Sequence, residues 1–227
     1  MCVEPTADRT CRPIFAIDND RSLLFSTMSI NLTSLQIQAL QALFDTGIGR
    51  ANTLLNYLTD SPVQMQMSPI QLLSVQQLQV VLVAGVGRGK AGAIELAYNG
   101  EFDGLAQILF PEETATGLVN TIADPKRRQI DRSATRVKTL TEVGNIFFNG
   151  LMGSLSNVTD RSITYMAPSY REDMVKQLIS IDTSAESTVI FGKIQFTPQL
   201  FQGSNPIVIF QVSPLDKFLG LVEQVKW

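Results

Sequence analysis

The chain of 227 residues contains no histidine. That absence removes Ser–His–Asp and Cys–His catalysis and the commonest metal ligand. Its two cysteines, Cys2 and Cys11, both fall in the first dozen residues. Two thiols cannot build a zinc site alone, and no disulfide framework can staple the rest of the chain. A reducing compartment fits, so the expected location is the cytoplasm. No apolar run approaches the ~20 residues of a membrane span. The first residues, MCVEPTADRTCRPIFAIDNDR, are charged and broken by proline, with no hydrophobic signal region. Basic residues are scarce as well: the net charge is −3 and the pI near 5.0. A nucleic-acid surface would need clustered Lys and Arg. Neither a nucleic-acid nor a membrane partner is expected. What remains, 44% hydrophobic and 17% charged, is an ordinary globular composition.

Residues 1–30 carry mixed charge, Pro5 and Pro13, and no sustained periodicity, and are expected to form an irregular extension. Organisation begins at NLTSLQIQALQALFDTGIGRANTLLNYLTDSP. Thr33 or Ser34 suits an N-cap, and Leu35, Ile37, Leu40, Leu43, Phe44, Ile48, Ala51, Leu54, Leu55 and Leu58 recur at a mostly helical spacing. VQMQMSPIQLL alternates as a strand, and SVQQLQVVLVAG suits a short helix. AGAIELAYNG and EFDGLAQILF read as a hairpin turning at Asn99-Gly100, and PEETATGLVNTIAD opens a helix at Pro111. The order then restarts. SATRVKTLTEVGNIFFNGLMGSLSN reads as a long helix, RSITYMAP as a short strand and REDMVKQLIS as a short helix. STVIFGKIQF and PIVIFQV read as strands, and PLDKFLGLVEQV as a closing helix.

The register supports a repeat. Leu40 lies over Leu140, and Val63–Ser68 over Ile163–Pro168, at an offset of 100; Pro111 and Pro214 each follow a hairpin and open a helix. A duplicated αβ unit, about 31–125 and about 132–227, predicts a single α+β domain over 31–227. It should have internal pseudo-twofold symmetry, about six strands in one sheet and two long helices packed on it.

On a helical wheel of the second long helix, Val137, Leu140, Gly144, Phe147, Phe148, Leu151 and Leu155 share one broad side, the expected core face. Gly144 costs about 1 kcal/mol relative to Ala in a helix interior, and close packing of helix on sheet would explain it. Lys138, Glu142, Asn145 and Asn149, spaced 4, 3 and 4 apart, gather within roughly 60° on the opposite side. Asn is a poor helix former, so two of them on an exposed stripe cost stability without structural return.

Glu142-x-x-Asn145, followed after 22 intervening residues by Pro168, resembles the signature of the CheC/CheX/FliY phosphatases of bacterial chemotaxis. LTEVGNIFFNGLMGSL is similar to the long helix of CheC proteins, the members it resembles most. LQALFDTGIGRANTLLNYL is similar to the family's other long helix. The resemblance covers about residues 32–227. It departs from the family pattern in two places. A Ser or Asp usually stands four residues before the Glu, where this chain has Lys138. In the first half the equivalent positions are Ala42, Asp45 and Ser68, so no E-x-x-N survives there. The resemblance therefore implies one intact centre in the second half and a degraded one in the first.

It also implies the chemistry. The family dephosphorylates CheY-like response regulators, whose phosphoryl group sits on an aspartate beside a Mg2+ held by the regulator. The chain would need no cofactor of its own. Asn145 would hold a water in line with phosphorus, Glu142 would pair with the regulator's lysine, Pro168 would shape the rim, and Asn149 and Lys138 would support the contact. A CheD-type deamidase is a second partner that the family suggests. The alternative is a non-catalytic module like the middle domain of the flagellar switch protein FliM, which binds partners without hydrolysis.

Other motifs carry less. GVGRGK, from Gly85 to Lys90, lacks the phosphate-loop spacing because Ala84 stands where the first Gly should be and Ala91 follows the Lys. Lys126, Arg127, Arg128, Arg132 and Arg136 form a basic cluster that reads first as a solvated linker, with attraction of an acidic regulator as the alternative.

Overall fold

The structure, a computed structural model, describes residues 32–58, 64–85, 89–123, 131–159, 163–179, 188–197 and 205–224. The extension expected at 1–30, Val86–Arg88 of the glycine-rich turn, and Lys126, Arg127 and Arg128 lie outside the described residues. Residues 31–227 form one compact unit.

Its elements follow the repeat. The first half runs α1 (Ser34–Leu58), β1 (Gln64–Met67), β2 (Gln71–Leu73), α2 (Val75–Gly85), β3 (Lys90–Asn99), β4 (Asp103–Pro111) and α3 (Glu112–Ile122). The second runs α4 (Arg132–Thr159), β5 (Thr164–Tyr165), β6 (Ser169–Met174), α5 (Val175–Leu178), β7 (Thr188–Thr197), β8 (Ile207–Ser213) and α6 (Leu215–Val222). Local signals start the helices. Thr33 and Gln36 exchange backbone and side-chain hydrogen bonds in a capping box ahead of α1, and Ser74 and Gln77 do the same ahead of α2. Asp131 accepts the Ala134 N–H at 2.9 Å and caps α4.

The strands form one antiparallel sheet in the order β1-β7-β8-β4-β3-β5, with β2 also on β7 and β6 also on β3. Eight segments thus fill six lanes, because each outer lane is a strand broken in two. The break is alike on both sides. Along β7 the register shifts by one residue between Met67↔Ile194 and Gln71↔Phe191. Along β3 it shifts by one between Tyr165↔Tyr98 and Ser169↔Glu95. Ser68-Pro69-Ile70 and Met166-Ala167-Pro168 occupy the two breaks, where a proline without an N–H is tolerated at an edge. Each half's leading strands pair with the other half's hairpin, so the halves interlock.

One segment differs from the sequence expectation. REDMVKQLIS is a short helix only over Val175–Leu178; Arg171–Met174 continue β6, paired with Lys90–Ala93 of β3. The free edge of β3 supplies backbone partners that a four-residue helix could not, and the run Arg171-Glu172-Asp173 suits a solvated sheet edge.

The long helices lie with α3 and α6 on one face of the sheet, over a core containing Leu40, Phe44, Ile94, Phe110, Phe147, Phe148 and Phe210. The short helices α2 and α5 cover the other face, over Leu78, Leu82, Val175, Phe191 and Ile209. Leu40 and Leu140, the pair that anchors the repeat, are both fully buried.

Candidate functional site

Helix α4 is held down by glycines. A Cβ at Gly144 would come within 2.6 Å of Ile94 on β3, so only glycine lets the helix sit this low. A Cβ at Gly47 of α1 would come within 2.9 Å of Leu151 Cα, and one at Gly150 would run into the Gly47 carbonyl, so the two long helices cross backbone to backbone. Leu140, Phe147, Phe148, Leu151 and Leu155 are buried as the wheel predicts, joined by Val143, Ile146 and Met152. Val137 is the exception, 38% exposed. Leu140 packs level with Gly92, and Val137 lies about 4.5 Å earlier along the axis. That places it over the first residues of β3, at the rim of the sheet.

The opposite side of α4 carries the polar stripe. Lys138, Glu142 and Asn149 are exposed and Asn145 is half-buried. Among the described residues none of the four makes a hydrogen bond or ion pair. Glu142 and Asn145 occupy successive turns, held rigidly by the helix and by Gly144 beneath.

Packing fixes the level of Pro168. Leu140 meets Gly92, whose partner on β6 is Glu172, and Gly144 meets Ile94, whose partner is Tyr170. Four helix residues advance about 6 Å and two strand residues about 6.6 Å, so the two ladders keep step. Pro168, two residues ahead of Tyr170, is therefore level with the turn from Asn145 to Asn149. Arg136 pins this edge at its far end. Its guanidinium donates to Glu112 at 2.7 Å and to Thr116 at 3.3 Å on α3, and lies 3.6 Å from Glu172 on β6. Tyr170 donates to Glu172 at 2.7 Å; burial first, then this hydrogen bond, pushes the phenol up to about 12. The expectation of a solvated linker does not hold for Arg136. Its neighbours in sequence carry no sign of the acids that reach it from α3 and β6.

The first half is different in kind. Ala42 and Asp45 lie on α1 where Glu142 and Asn145 lie on α4, and Ser68 falls in the strand break. Here the helix side chains are stitched to their own strands. Asn52 Nδ2 donates to the Met65 carbonyl at 2.9 Å while its Oδ1 accepts the Met65 N–H at 2.6 Å. Gln41 Oε1 accepts the Ile70 N–H at 2.9 Å, and Gln41 Nε2 donates to Asp45 Oδ1 at 3.1 Å. Ser68 Oγ accepts the Lys193 N–H at 3.0 Å. The α1 edge is closed by its own hydrogen bonds, whereas among the described residues the stripe from Lys138 to Asn149 makes none to its strands. Residue types at these positions are visible in the sequence; this contrast is not.

Among the described residues no three acidic or cysteine side chains gather as a metal site, and no helix is long and apolar enough to cross a membrane.

Solved structures share this architecture. FliY of Thermotoga maritima is similar with a TM-score of 0.63 at 12% identity, over 85% of this chain and 97% of that one. The FliM middle domain of H. pylori is similar with a TM-score of 0.59 at 9% identity, over 86% and 100%. CheX of Desulfovibrio desulfuricans is similar with a TM-score of 0.54 at 13% identity, over 76% and 99%. The chain has the fold of FliY, CheX and the FliM middle domain. No protein-family model matches the sequence, and no curated protein matches it. Fold alone does not choose between a hydrolytic and a binding role, because function lives in sites carried on a fold and this one is shared by the chemotaxis protein CheX and the FliM middle domain.

Proposed function

We propose that the chain is a CheC-like phosphatase that hydrolyses the aspartyl phosphate of a CheY-like receiver domain, with its one working centre on α4. The observation that carries this reading is the unpartnered stripe. Glu142 and Asn145 stand on a rigid helix, open to a visiting protein, while their counterparts on α1 are lost or tied down. Two asparagines at helical positions that have no side-chain partner among the described residues call for a use outside the fold.

The chemistry asks little more of the chain. Phosphoryl transfer depends mainly on positioning and charge stabilisation. The Asn145 amide can accept from a water and donate to the phosphoryl group, which sets the water in line with phosphorus. The water oxygen bonds to phosphorus as the acyl P–O bond breaks. The aspartate leaves as a carboxylate, and the water's proton ends on inorganic phosphate. A neutral amide suits the role, where a carboxylate such as Asp45 would repel the anion. Glu142 pairs with the receiver's active-site lysine and sets the depth of insertion. Pro168, level with the turn from Asn145 to Asn149, limits the approach from the sheet side, and any Mg2+ comes with the receiver.

A second reading has its own support. The FliM middle domain is as similar in fold as CheX is, and one of the two centres is gone. A chain of that kind would bind a receiver and leave its phosphate intact. Release of inorganic phosphate from phosphorylated receivers separates the two. Wild type should accelerate release and Asn145→Ala should not, while still binding the receiver. If the Asn145→Ala protein releases phosphate as fast as wild type, the assignment of the amide is wrong. If wild type binds without accelerating release, the chain is a binding module.

A further inference from the structure

Two cations bracket the Asn145 amide along α4, one from each half of the chain. Lys138 precedes it by seven residues, about 10 Å along the axis. Arg50 comes from α1, across the glycine crossing, and lays its guanidinium over α4 at Gly153: a Cβ there would meet Arg50 Nη1 at 3.3 Å. Gly153 follows Asn145 by eight residues, about 12 Å. Both cations are exposed, and among the described residues neither has an ion pair or hydrogen bond. Glu142 stands four residues beyond Lys138, the spacing at which helix neighbours pair, yet the two do not. Arg136, on α4 itself, is neutralised by Glu112 and Glu172 on the side facing α3 and β6. On the open side, positive charge is left at both ends of the stripe.

A partner seated on Asn145 would cover both ends. A standard interface buries about 800 Å² on each partner, a patch with a radius of about 16 Å. Lys138 and the Arg50 head at Gly153 fall inside that radius and near its rim. Rim charges of one sign steer a partner of the opposite sign and reject others.

We propose that Lys138 and Arg50 read acidic side chains on the docked receiver domain, one on each side of its phosphoacceptor pocket, and so select which receiver is accepted. The proposal rests on the reading of Asn145 given above. It assigns a task to the first half, which has no E-x-x-N of its own: α1 supplies one arm of a clamp that serves the centre on α4. It also gives Lys138 a meaning where relatives have Ser or Asp, since a cation there demands a receiver with an acid opposite.

The test is binding of the full chain to a panel of receiver domains loaded with beryllium fluoride and Mg2+, a stable mimic of the phosphorylated state, at several salt concentrations. For a receiver that binds wild type, Arg50→Glu and Lys138→Glu should each weaken binding on the order of tenfold at low salt and flatten its salt dependence. Arg50→Lys and Lys138→Arg should keep most of the affinity, because the contact needs charge at the rim. Thermal melting of the variants should match wild type, as both side chains are exposed. Unchanged affinity and salt dependence in both charge reversals would overturn the clamp even where Asn145→Ala abolishes hydrolysis. Binding that responds to the reversals, with no acceleration of phosphate release when the same receivers are phosphorylated, would support the clamp and remove the phosphatase reading. Failure of wild type to bind any loaded receiver would overturn both.

Discussion

Gly144 of α4 lies directly on Ile94 of β3, with the place of a Cβ 2.6 Å from Cγ2, 2.8 Å from Cγ1 and 2.9 Å from Cβ of the isoleucine. Because the β-carbon itself is that close, no rotamer of Ile94 makes room. Gly144→Ala gains about 1 kcal/mol of helix propensity but overpacks the contact, a cost of about 1–3 kcal/mol. The expected result is a net loss of stability in urea denaturation and a helix lifted off the sheet, with phosphate release falling because Asn145 moves with it. Gly150→Ala should be worse, since its Cβ meets the backbone carbonyl of Gly47, which cannot rotate away. A Gly144→Ala protein as stable as wild type would mean that the close approach is not what glycine is there for.

Asn52 predicts a second stability effect, in the first half. Its amide satisfies both the N–H and the C=O of Met65. Asn52→Ala leaves these two partly buried backbone groups without partners, a cost of about 1–3 kcal/mol. The melting temperature should drop by about 2–4 °C per kcal/mol for a domain of this size. Asn149→Ala on α4, which breaks no hydrogen bond among the described residues, should leave it unchanged or slightly raised. Equal shifts in the two variants would contradict the contrast between the closed and open edges.

How much of this is legible in the sequence follows from how local each signal is. The long helices and the β3–β4 and β7–β8 hairpins are written in periodicity, capping residues and the Asn99-Gly100 turn, so sequence suffices for them. Gly144 is legible because a glycine on the apolar side of a helix has few other uses. Arg171–Met174 escape a local reading because the run is polar and short, and only the neighbouring edge of β3 makes it a strand. The interlocking of the halves lies in pairings such as Met67 with Ile194, far apart in sequence, which no local pattern encodes. At the site, Glu142, Asn145 and Pro168 are legible as a spacing. The Gln41 and Asn52 stitches that close the α1 edge are not, since an amide on a helix does not announce which backbone group it will meet.

Tyr170 gives the edge an alkaline signature. Its phenol releases a proton near 10 in an unfolded chain and at about 12 in the fold, where burial and the Glu172 carboxylate oppose ionisation. A group whose pKa is raised by folding stabilises the protein fully below its unfolded value. That contribution should hold below about pH 10 and be lost as pH rises through about 12. Urea midpoints measured from pH 8 to pH 12 should therefore fall less steeply in Tyr170→Phe than in wild type. Parallel profiles would show that the phenol does not titrate with folding.

The closed edge also predicts what cannot be repaired easily. Ala42→Glu with Asp45→Asn restores E-x-x-N to α1 on paper. The amide introduced by Asp45→Asn would still sit beside Gln41, whose other end is held by the Ile70 N–H, and Ser68 would still be bound to Lys193 in place of a proline. An amide already engaged by a neighbour is not free to orient a water, and misplacement by about 1 Å can cost a hundredfold in rate. Placed in the Asn145→Ala background, this double substitution should restore no phosphate release. Asp45→Ala alone should leave the wild-type rate unchanged, with at most about 0.5–1.5 kcal/mol lost with the Gln41 hydrogen bond. Substantial release from the rebuilt first half would mean that residue types, and not the open or closed state of the edge, decide which half works.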